Sequence, residues 1–300
     1  MTPPITPAAP FRWFMKALDG GRRHPQAVFG GFGLLLLVAM TPSLLQAFAE
    51  YVMKLAPAAL AAVYGLVMLF NLVVMPPLMG GALRLLHRAE GGHPVVASDV
   101  FDGFRDRDLA LRMIGTALLC LLAFLLVFGL LFLLMPGKAF VIELFARSMA
   151  TPPGGQPDMA GLPEASPWLL LWLPAAIFIA CFATHGYMLA YAQAALGGRT
   201  ALDATVTGFA ALVRHSLPFL AFTVAALTVG SVLLLIVALV IGVVVGLLAM
   251  ASPALAMLLV LPVYLGLLLM MYVVMFGFYD HAWRDIFGDG PAAPLDALEA

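Results

Sequence analysis

Charged residues and cysteines are scarce in this chain of 300 residues. Only 10% of the residues are Asp, Glu, Lys or Arg, whereas about a quarter are charged in an ordinary soluble domain. The 15 Lys and Arg nearly balance the 16 Asp and Glu, so no net charge indicates nucleic acid or an acidic ligand as a partner. The two cysteines, Cys120 and Cys181, lie inside apolar runs, which argues against a structural disulfide and a cysteine-rich metal site.

Catalytic motifs are missing as well. The chain has no His-Glu-x-x-His run, no Gly-x-x-x-x-Gly-Lys-Ser/Thr phosphate loop and no Gly-x-Ser-x-Gly nucleophile elbow. The histidines show no spacing of metal ligands, and no long apolar run carries paired carboxylates. The sequence therefore predicts a protein that is not an enzyme, with no catalytic, cofactor-binding or metal-binding residues.

Apolar residues, by contrast, make up 63% of the chain, more than a soluble globule of this size could hide from water. Crossing a bilayer takes about 20 consecutive apolar residues in a helix. Six runs meet this length: Ala27–Ala47, Pro57–Leu83, Leu109–Met135, Pro167–Ala194, Leu217–Met250 and Pro253–Tyr279. Because none of them alternates like a barrel strand, the sequence predicts an all-α, polytopic membrane helix bundle with six transmembrane helices.

The positive charges indicate how the six runs are oriented. Twelve Lys and Arg fall on one side of the runs and three on the other. Because cytoplasmic loops carry the excess of Lys and Arg, we expect a multi-pass protein of the bacterial inner (plasma) membrane with both termini in the cytoplasm. Ala47-Phe48-Ala49 resembles a signal-peptidase site, but the segment before it is too long for a signal peptide.

A glycine spacing of eleven residues recurs at the predicted cytoplasmic ends of the second, fourth and sixth runs. The pairs are Gly80 with Gly91, Gly186 with Gly197, and Gly277 with Gly288. This pattern predicts a single membrane domain built from three two-span repeats, at residues 11–92, 93–198 and 199–290, followed by a flexible acidic tail at 291–300. The alternative is that these glycines are ordinary helix C-caps whose spacing matches by chance.

A short amphipathic segment precedes the first span of each repeat. The three segments contain Phe14, Phe104 and Phe209, and each is too short to cross a bilayer. We expect interfacial elbow helices that place these phenylalanines at the depth of the lipid headgroups, and Trp13 suits the same depth. Thr200 is expected to cap the third elbow helix.

Polar residues inside apolar runs are the natural place to look for function. Asn71, His185 and Tyr187 form the candidate intramembrane polar site. His185 belongs either to a proton or ligand path or to a structural hydrogen bond between helices. Asn71 is the leading candidate for its partner, because both residues lie near the middle of the membrane. Asp280 is interpreted as an interfacial cap close to water.

Two glycines in the fifth run, Gly242 and Gly246, carry a separate prediction. Their spacing of four residues places both on one face of a helix. Small residues at this spacing let a second helix approach closely. We therefore expect a neighbouring span to pack against this face.

Several segments resemble a known family. They are the stretch Phe11–Pro25 before the first span, the run Pro76–Gly80, and the connection from Gly91-Gly92 to Gly103-Phe104. They resemble uncharacterised proteobacterial multi-span inner-membrane proteins and are similar to the membrane domain fused to some glycerophosphodiester phosphodiesterases. The resemblance implies a fold and a location and supplies no catalytic residues.

Three two-span repeats also invite a comparison with mitochondrial carriers. That family carries a Pro-x-Asp/Glu-x-x-Lys/Arg motif at the end of each odd span. The third run ends in Met135-Pro136-Gly137-Lys138, which has no acidic residue at the required position. This departure excludes the chain from that family.

Two classes of function stay open on the sequence. One is a non-catalytic scaffold or modulator of envelope components, with membrane lipids and other envelope proteins as partners and no nucleic acid. The other is a transporter, or a protein that handles a lipid or another apolar ligand in a cavity between the repeats. Scarce intramembrane charge favours the first. A polar-lined central cavity containing His185 and Asn71 would favour the second.

Overall fold

The fold is a bundle of helices. A computed structural model describes residues 5–151, 155–156 and 158–288, so the acidic segment 291–300 lies outside the described residues. The helices are α1 (Ala9–Leu18), α2 (Pro25–Ala47), α3 (Pro57–Val73), α4 (Met75–Glu90), α5 (Asp102–Arg105), α6 (Arg107–Leu134), α7 (Lys138–Ala150), α8 (Leu169–Ala195), α9 (Ala201–Arg214), α10 (Ser216–Ala251) and α11 (Pro253–Phe287). A π-helical turn, Phe48–Val52, continues α2, and a 3₁₀ helix, Ala97–Phe101, precedes α5.

Six helical stretches within the described residues are long and apolar enough to cross a membrane. They are Pro25–Val52, Ala58–Glu90, Arg107–Leu134, Leu169–Ala195, Ser216–Leu247 and Val260–Phe287. This confirms the predicted all-helical fold with six candidate spans. The second and sixth stretches continue beyond their predicted ends to Glu90 and Phe287, because the charged residues that follow the apolar runs pair with one another inside the bundle.

The six long stretches pack in two layers at one end of the bundle. The helices α4, α8 and α11 pack against one another and form the centre. Each of the other three lies outside two central helices: α2 against α4 and α11, α6 against α4 and α8, and α10 against α8 and α11. The short helices α1, α5 and α9 and the 3₁₀ helix are peripheral, with α1 on α11, the 3₁₀ helix and α5 on α4, and α9 on α8. We call this end of the bundle the short-helix end.

Close packing is concentrated at the short-helix end. Leu78, Leu83 and Leu86 of α4 are fully buried, as are Leu189 of α8 and Phe276 of α11. The opposite halves of the long helices expose large apolar side chains, in particular along α10. Such a surface would be unstable in water but suits a bilayer, which acts as an apolar solvent.

Glycines allow two of the short helices to approach the central helices backbone to backbone. A Cβ atom at Gly208 of α9 would lie 2.5 Å from the amide nitrogen of Ala190 in α8. A Cβ atom at Gly103 of α5 would overlap the carbonyl group of Pro77 in α4. These contacts hold the short helices rigidly against the bundle, because a side chain at either position would push the backbones apart.

Two turns between helices use a glycine with a positive φ angle, and the predicted Thr200 cap is present. Gly92 and Gly198 have φ angles of +79° and +64°, which glycine adopts without steric cost. Thr200 caps α9, since its side chain accepts a hydrogen bond from the Asp203 amide at 3.3 Å. Each connection therefore ends one helix and starts the next within a few residues.

Asp106 caps α6 and joins it to α4. Its carboxylate accepts hydrogen bonds from the Leu109 amide at 3.0 Å and from Arg84 Nη1 at 3.0 Å. Partial burial alone would raise the pKa of Asp106, but these hydrogen bonds and the positive charge of Arg84 outweigh it and hold the pKa below its ordinary value. The carboxylate is thus ionised at neutral pH and stabilises the start of α6.

The segments predicted as elbows differ from one another in structure. Phe14 in α1 is 38% exposed and Phe104 in α5 is 43% exposed, whereas Phe209 in α9 is half-buried and contacts Gly186. The middle segment is a 3₁₀ helix followed by a single α-helical turn, not a continuous amphipathic helix. Trp13 was expected at the membrane interface, but it is fully buried under α1. Its indole nitrogen donates a hydrogen bond to the carboxylate of Asp285 in α11.

Candidate functional site

His185 lies in α8 at the centre of a buried polar group that also includes Thr223 of α10 and Tyr279 of α11. Its Nε2 atom is 3.0 Å from Thr223 Oγ1, and its Nδ1 atom is 2.9 Å from the Tyr279 hydroxyl. The side chain is surrounded by aromatic rings, with the ring centroid of Phe219 4.9 Å away. The imidazole therefore connects three long helices in an apolar environment.

The hydrogen bonds around His185 are consistent with one neutral tautomer. The Thr223 hydroxyl donates its hydrogen to the Phe219 carbonyl at 2.8 Å, so it accepts a hydrogen bond from His185 Nε2. Nδ1 is then unprotonated and accepts from the Tyr279 hydroxyl. Both ring nitrogens are satisfied without a net charge, and the donor chain ends at a backbone carbonyl. This arrangement is typical of a structural hydrogen bond between helices.

The structure does not bring the three predicted site residues together. Asn71 is exposed on α3, a helix that contacts α2, α4 and α6, whereas the partners of His185 belong to α10 and α11. Tyr187 packs against Tyr191, with ring centroids 4.4 Å apart. The prediction that His185 bonds to another span is confirmed. The prediction that Asn71 is its partner is wrong, because similar depth does not place two residues on facing sides of their helices.

A second polar group, which we call the Asp280 cluster, joins α11 to α4. Asp280 is fully buried, not an interfacial cap close to water. Its Oδ1 atom is 2.6 Å from His87 Nδ1, and its Oδ2 atom is 2.8 Å from Arg284 Nη2. The same Nη2 atom donates to the His87 carbonyl oxygen at 3.2 Å. A buried carboxylate needs such partners, because an isolated charge between apolar helices would be strongly destabilising.

Further hydrogen bonds extend this polar layer around the three central helices. Arg84 Nε of α4 donates to the Ala195 carbonyl oxygen of α8 at 3.1 Å. Trp283 Nε1 of α11 donates to Gln193 Oε1 of α8 at 3.4 Å. Sequence reasoning missed this layer, although the spacing of four residues between Asp280 and Arg284 is the signal of an ion pair on one helix.

Several side chains of the central helices are fully buried. Leu83 and Leu86 of α4 and Leu189 of α8 have no exposed surface. Because Asn71 is exposed on α3 and His185 bonds to α10 and α11, the described residues do not place His185 and Asn71 around one polar cavity. Cys120 and Cys181 are unpaired. Across residues 5–151, 155–156 and 158–288, no group of three or more His, Cys, Asp and Glu side chains could hold a metal ion.

A groove of about 570 Å³ opens at the short-helix end, outside the packed centre. It lies between the segment before α1, the end of α9, the start of α10 and the end of α11. Its polar lining includes Arg214, His215, Ser216 and Asp285, and Phe287 belongs to its apolar lining. The groove therefore has the size and the mixed polar and apolar lining of a site for a small ligand.

These features define a class: a multi-pass, all-helical membrane protein whose centre is closed by hydrogen bonds and ion pairs at one end. Comparisons with protein-family models, with curated proteins and with solved structures found no match to this chain. The function must therefore be inferred from the geometry.

Proposed function

We propose that this chain is a non-catalytic protein of the bacterial inner membrane that acts as a scaffold or modulator of other envelope components. The observation that carries the proposal is the close-packed centre of the bundle. A route for ions or polar solutes needs a polar lining or a water-filled space. Here, the polar groups of α4, α8 and α11 bind one another, and leucine side chains of α4 and α8 are fully buried.

The scaffold is organised as three two-span units around the central helices. In support, each outer helix packs between its own return helix and the return helix of the unit before it. Each short segment packs on the return helix of the preceding unit, and α1 closes the ring on α11. In a closed ring of this kind, each unit contacts the other two units. The short helices lie at the periphery, where partners can reach them.

The short helices α1 and α9 provide the surface for such partners. Each buries one face against the bundle and exposes large apolar side chains on the other: Met15 is 62% exposed in α1, and Val206 is 58% exposed in α9. With both termini in the cytoplasm, these faces lie at the inner leaflet, where they contact lipid or the helices of a partner.

Cysteine accessibility tests the closed centre. In a background with Cys120→Ala and Cys181→Ala, single cysteines replace the fully buried Ala82 of α4 and Ala192 of α8, and Asp203→Cys is the exposed control. A charged, water-soluble thiol reagent should label the two buried positions at less than about a tenth of the control rate, because the reactive thiolate does not form in apolar surroundings. Rapid labelling of either buried position would show a water-filled path and overturn the proposal.

Photo-crosslinking in native membranes tests the scaffold itself. A photoreactive residue at Met15 or Val206 should give one protein adduct of defined mass, because a scaffold holds its partner in a fixed position. The matched control is Leu235 of α10, which is 70% exposed on the opposite half of the bundle and should give lipid adducts alone. Only lipid adducts at Met15 and Val206 would contradict the scaffold.

A further inference from the structure

The groove at the short-helix end carries two opposite charges that are not paired with each other. Arg214 ends α9, and no carboxylate of the described residues lies within ion-pair distance of its guanidinium group. Asp285 of α11 accepts a hydrogen bond at Oδ2 from Trp13 Nε1 at 2.6 Å. Within the described chain, its Oδ1 atom has no hydrogen-bond donor. The groove thus presents one free guanidinium group and one free carboxylate oxygen.

The arginine side of the groove suits a phosphate group. Ser216 contributes a hydroxyl group, and the amides of Ser216 and Leu217 lie in the first turn of α10, where no preceding carbonyl of the helix can accept from them. Arginine and a helix start both stabilise phosphate oxygens. Burial, followed by the charge of Arg214, lowers the pKa of His215, so the imidazole is neutral at pH 7 and the positive charge comes from the guanidinium group.

The apolar side of the groove is continuous with the surface that faces lipid. Leu217, at the start of α10, lines the groove and is 65% exposed. Further along the same helix, the ring of Phe222 lies 5.6 Å from that of Phe11, which is 42% exposed on α1. A molecule with its polar end in the groove could therefore extend acyl chains along α10 into the hydrocarbon.

We propose that the groove binds one phospholipid whose headgroup carries both a phosphate and a primary ammonium group, as phosphoethanolamine does. The phosphate lies at Arg214 and the start of α10, and the ammonium group binds the free carboxylate oxygen of Asp285. A headgroup with both charges neutralises both side chains, whereas a purely anionic headgroup would leave Asp285 unpaired and repelled. This proposal depends on the proposed membrane topology in one respect, which is that the bound lipid belongs to the inner leaflet.

Native mass spectrometry of the full chain in detergent tests this site. The protein is mixed separately with phosphatidylethanolamine and phosphatidylglycerol of the same acyl chains, and the lipid retained per chain is measured. The wild type should retain one phosphatidylethanolamine with at least about tenfold preference, equivalent to about 1.4 kcal/mol. Arg214→Gln should lose this lipid. Asp285→Asn should bind both lipids about equally, because the amide can still accept from Trp13 but no longer attracts an ammonium group.

The control variant is Arg22→Gln, which removes an equal charge from an exposed ion pair with Asp19 and should retain the lipid as the wild type does. Equal retention by Arg214→Gln and Arg22→Gln would overturn the site, as would equal binding of the two lipids by the wild type. Displacement of the lipid by millimolar inorganic phosphate would instead identify a site for the free anion. If the wild type shows no lipid preference while Ala82→Cys stays unlabelled by the thiol reagent, this site alone is overturned. If Ala82→Cys is labelled while the lipid preference is present, the proposed scaffold alone is overturned.

Discussion

His185 illustrates how a polar side chain is stabilised between apolar helices. Its two nitrogens bond to Thr223 and Tyr279, and the rings of Phe219 and Phe278 pack around it. A neutral imidazole in such a position satisfies its donor and its acceptor at once, and the apolar surroundings disfavour a charged imidazolium. His185, the candidate for a proton path in the sequence, thus joins α8 to α10 and α11 by hydrogen bonds.

Asp280 differs from His185 because its charge, and not only its hydrogen-bonding capacity, must be balanced. Its side chain has no exposed surface, and the Arg284 side chain is 24% exposed. Arg284 Nε is buried and has no hydrogen-bond partner among the described residues. The charges of Asp280 and Arg284 therefore stabilise each other, because removing one leaves the other in an environment that solvates it poorly.

Replacing Asp280 with asparagine should strongly destabilise the protein. The variant keeps an acceptor for His87 but leaves the Arg284 charge without its counter-ion, at a cost of about 3 kcal/mol. Thermal unfolding of the purified protein in detergent measures the effect. The double variant Asp280→Asn/Arg284→Met should recover most of the loss, because it removes both charges.

The control for this prediction is Asp19→Asn, which breaks an exposed ion pair with Arg22 and should cost less than about 1 kcal/mol. If Asp280→Asn is no less stable than Asp19→Asn, the Asp280 cluster does not stabilise the bundle. Equal stability of the single variant and the double variant would also contradict the role given to Arg284.

At the scale of elements, glycines in different helices have different roles. Gly103 and Gly208 lie where short helices touch central helices, and neither position has room for a side chain. Gly242 and Gly246 were predicted to support close packing of another span. Within the described residues, however, no atom comes within 4 Å of a Cβ built at either position. The described residues therefore show no span packed against these two glycines, which lie in the half of α10 beyond the packed centre.

Alanine substitutions separate these two roles. Gly208→Ala places a methyl group 2.5 Å from the Ala190 amide nitrogen and should reduce the free energy of unfolding by about 1–3 kcal/mol. Gly242→Ala should be neutral or stabilise the helix by up to about 1 kcal/mol, because alanine is the better helix former. Thermal unfolding of both variants provides the measurement. A comparable loss in Gly242→Ala would contradict the prediction and indicate that a second molecule packs on this face of α10.

At the scale of the whole molecule, the six candidate spans are even in number, so the proposed topology places both ends of the chain on one side of the membrane. The short-helix end collects α1, α5 and α9 together with the Asp280 cluster and the groove. The proposed orientation places this end in the cytoplasm, because the flanking segments there carry most of the Lys and Arg.

Reporter fusions test this orientation. Fusions after Gly92 and Gly198 should be active with a cytoplasmic reporter, and fusions near Lys54 and Gly155 should be active with a periplasmic reporter such as alkaline phosphatase. The reason is that six crossings return the chain to the cytoplasm after the second and fourth spans. The opposite pattern at all four positions would invert the proposed orientation, and a mixed pattern would contradict the number of spans.

The sequence by itself determined the class of the protein, the six spans and the positions of the turns. These depend on composition and local geometry: a run of about 20 apolar residues needs a bilayer whatever its neighbours are. A glycine such as Gly92 or Gly198 stops a helix wherever a positive φ angle is required.

Only the tertiary structure decided which helices meet and which side chains face one another. Partners of His185 lie 38 and 94 residues away in the chain, and His87 and Asp280 are separated by 193 residues. The spacing along one helix does not reveal how that helix is rotated against its neighbours, so Asn71 could be placed at a depth but not on a face. The groove likewise arises where four separate segments come together, because packing at the short-helix end closes the centre and leaves its edge open.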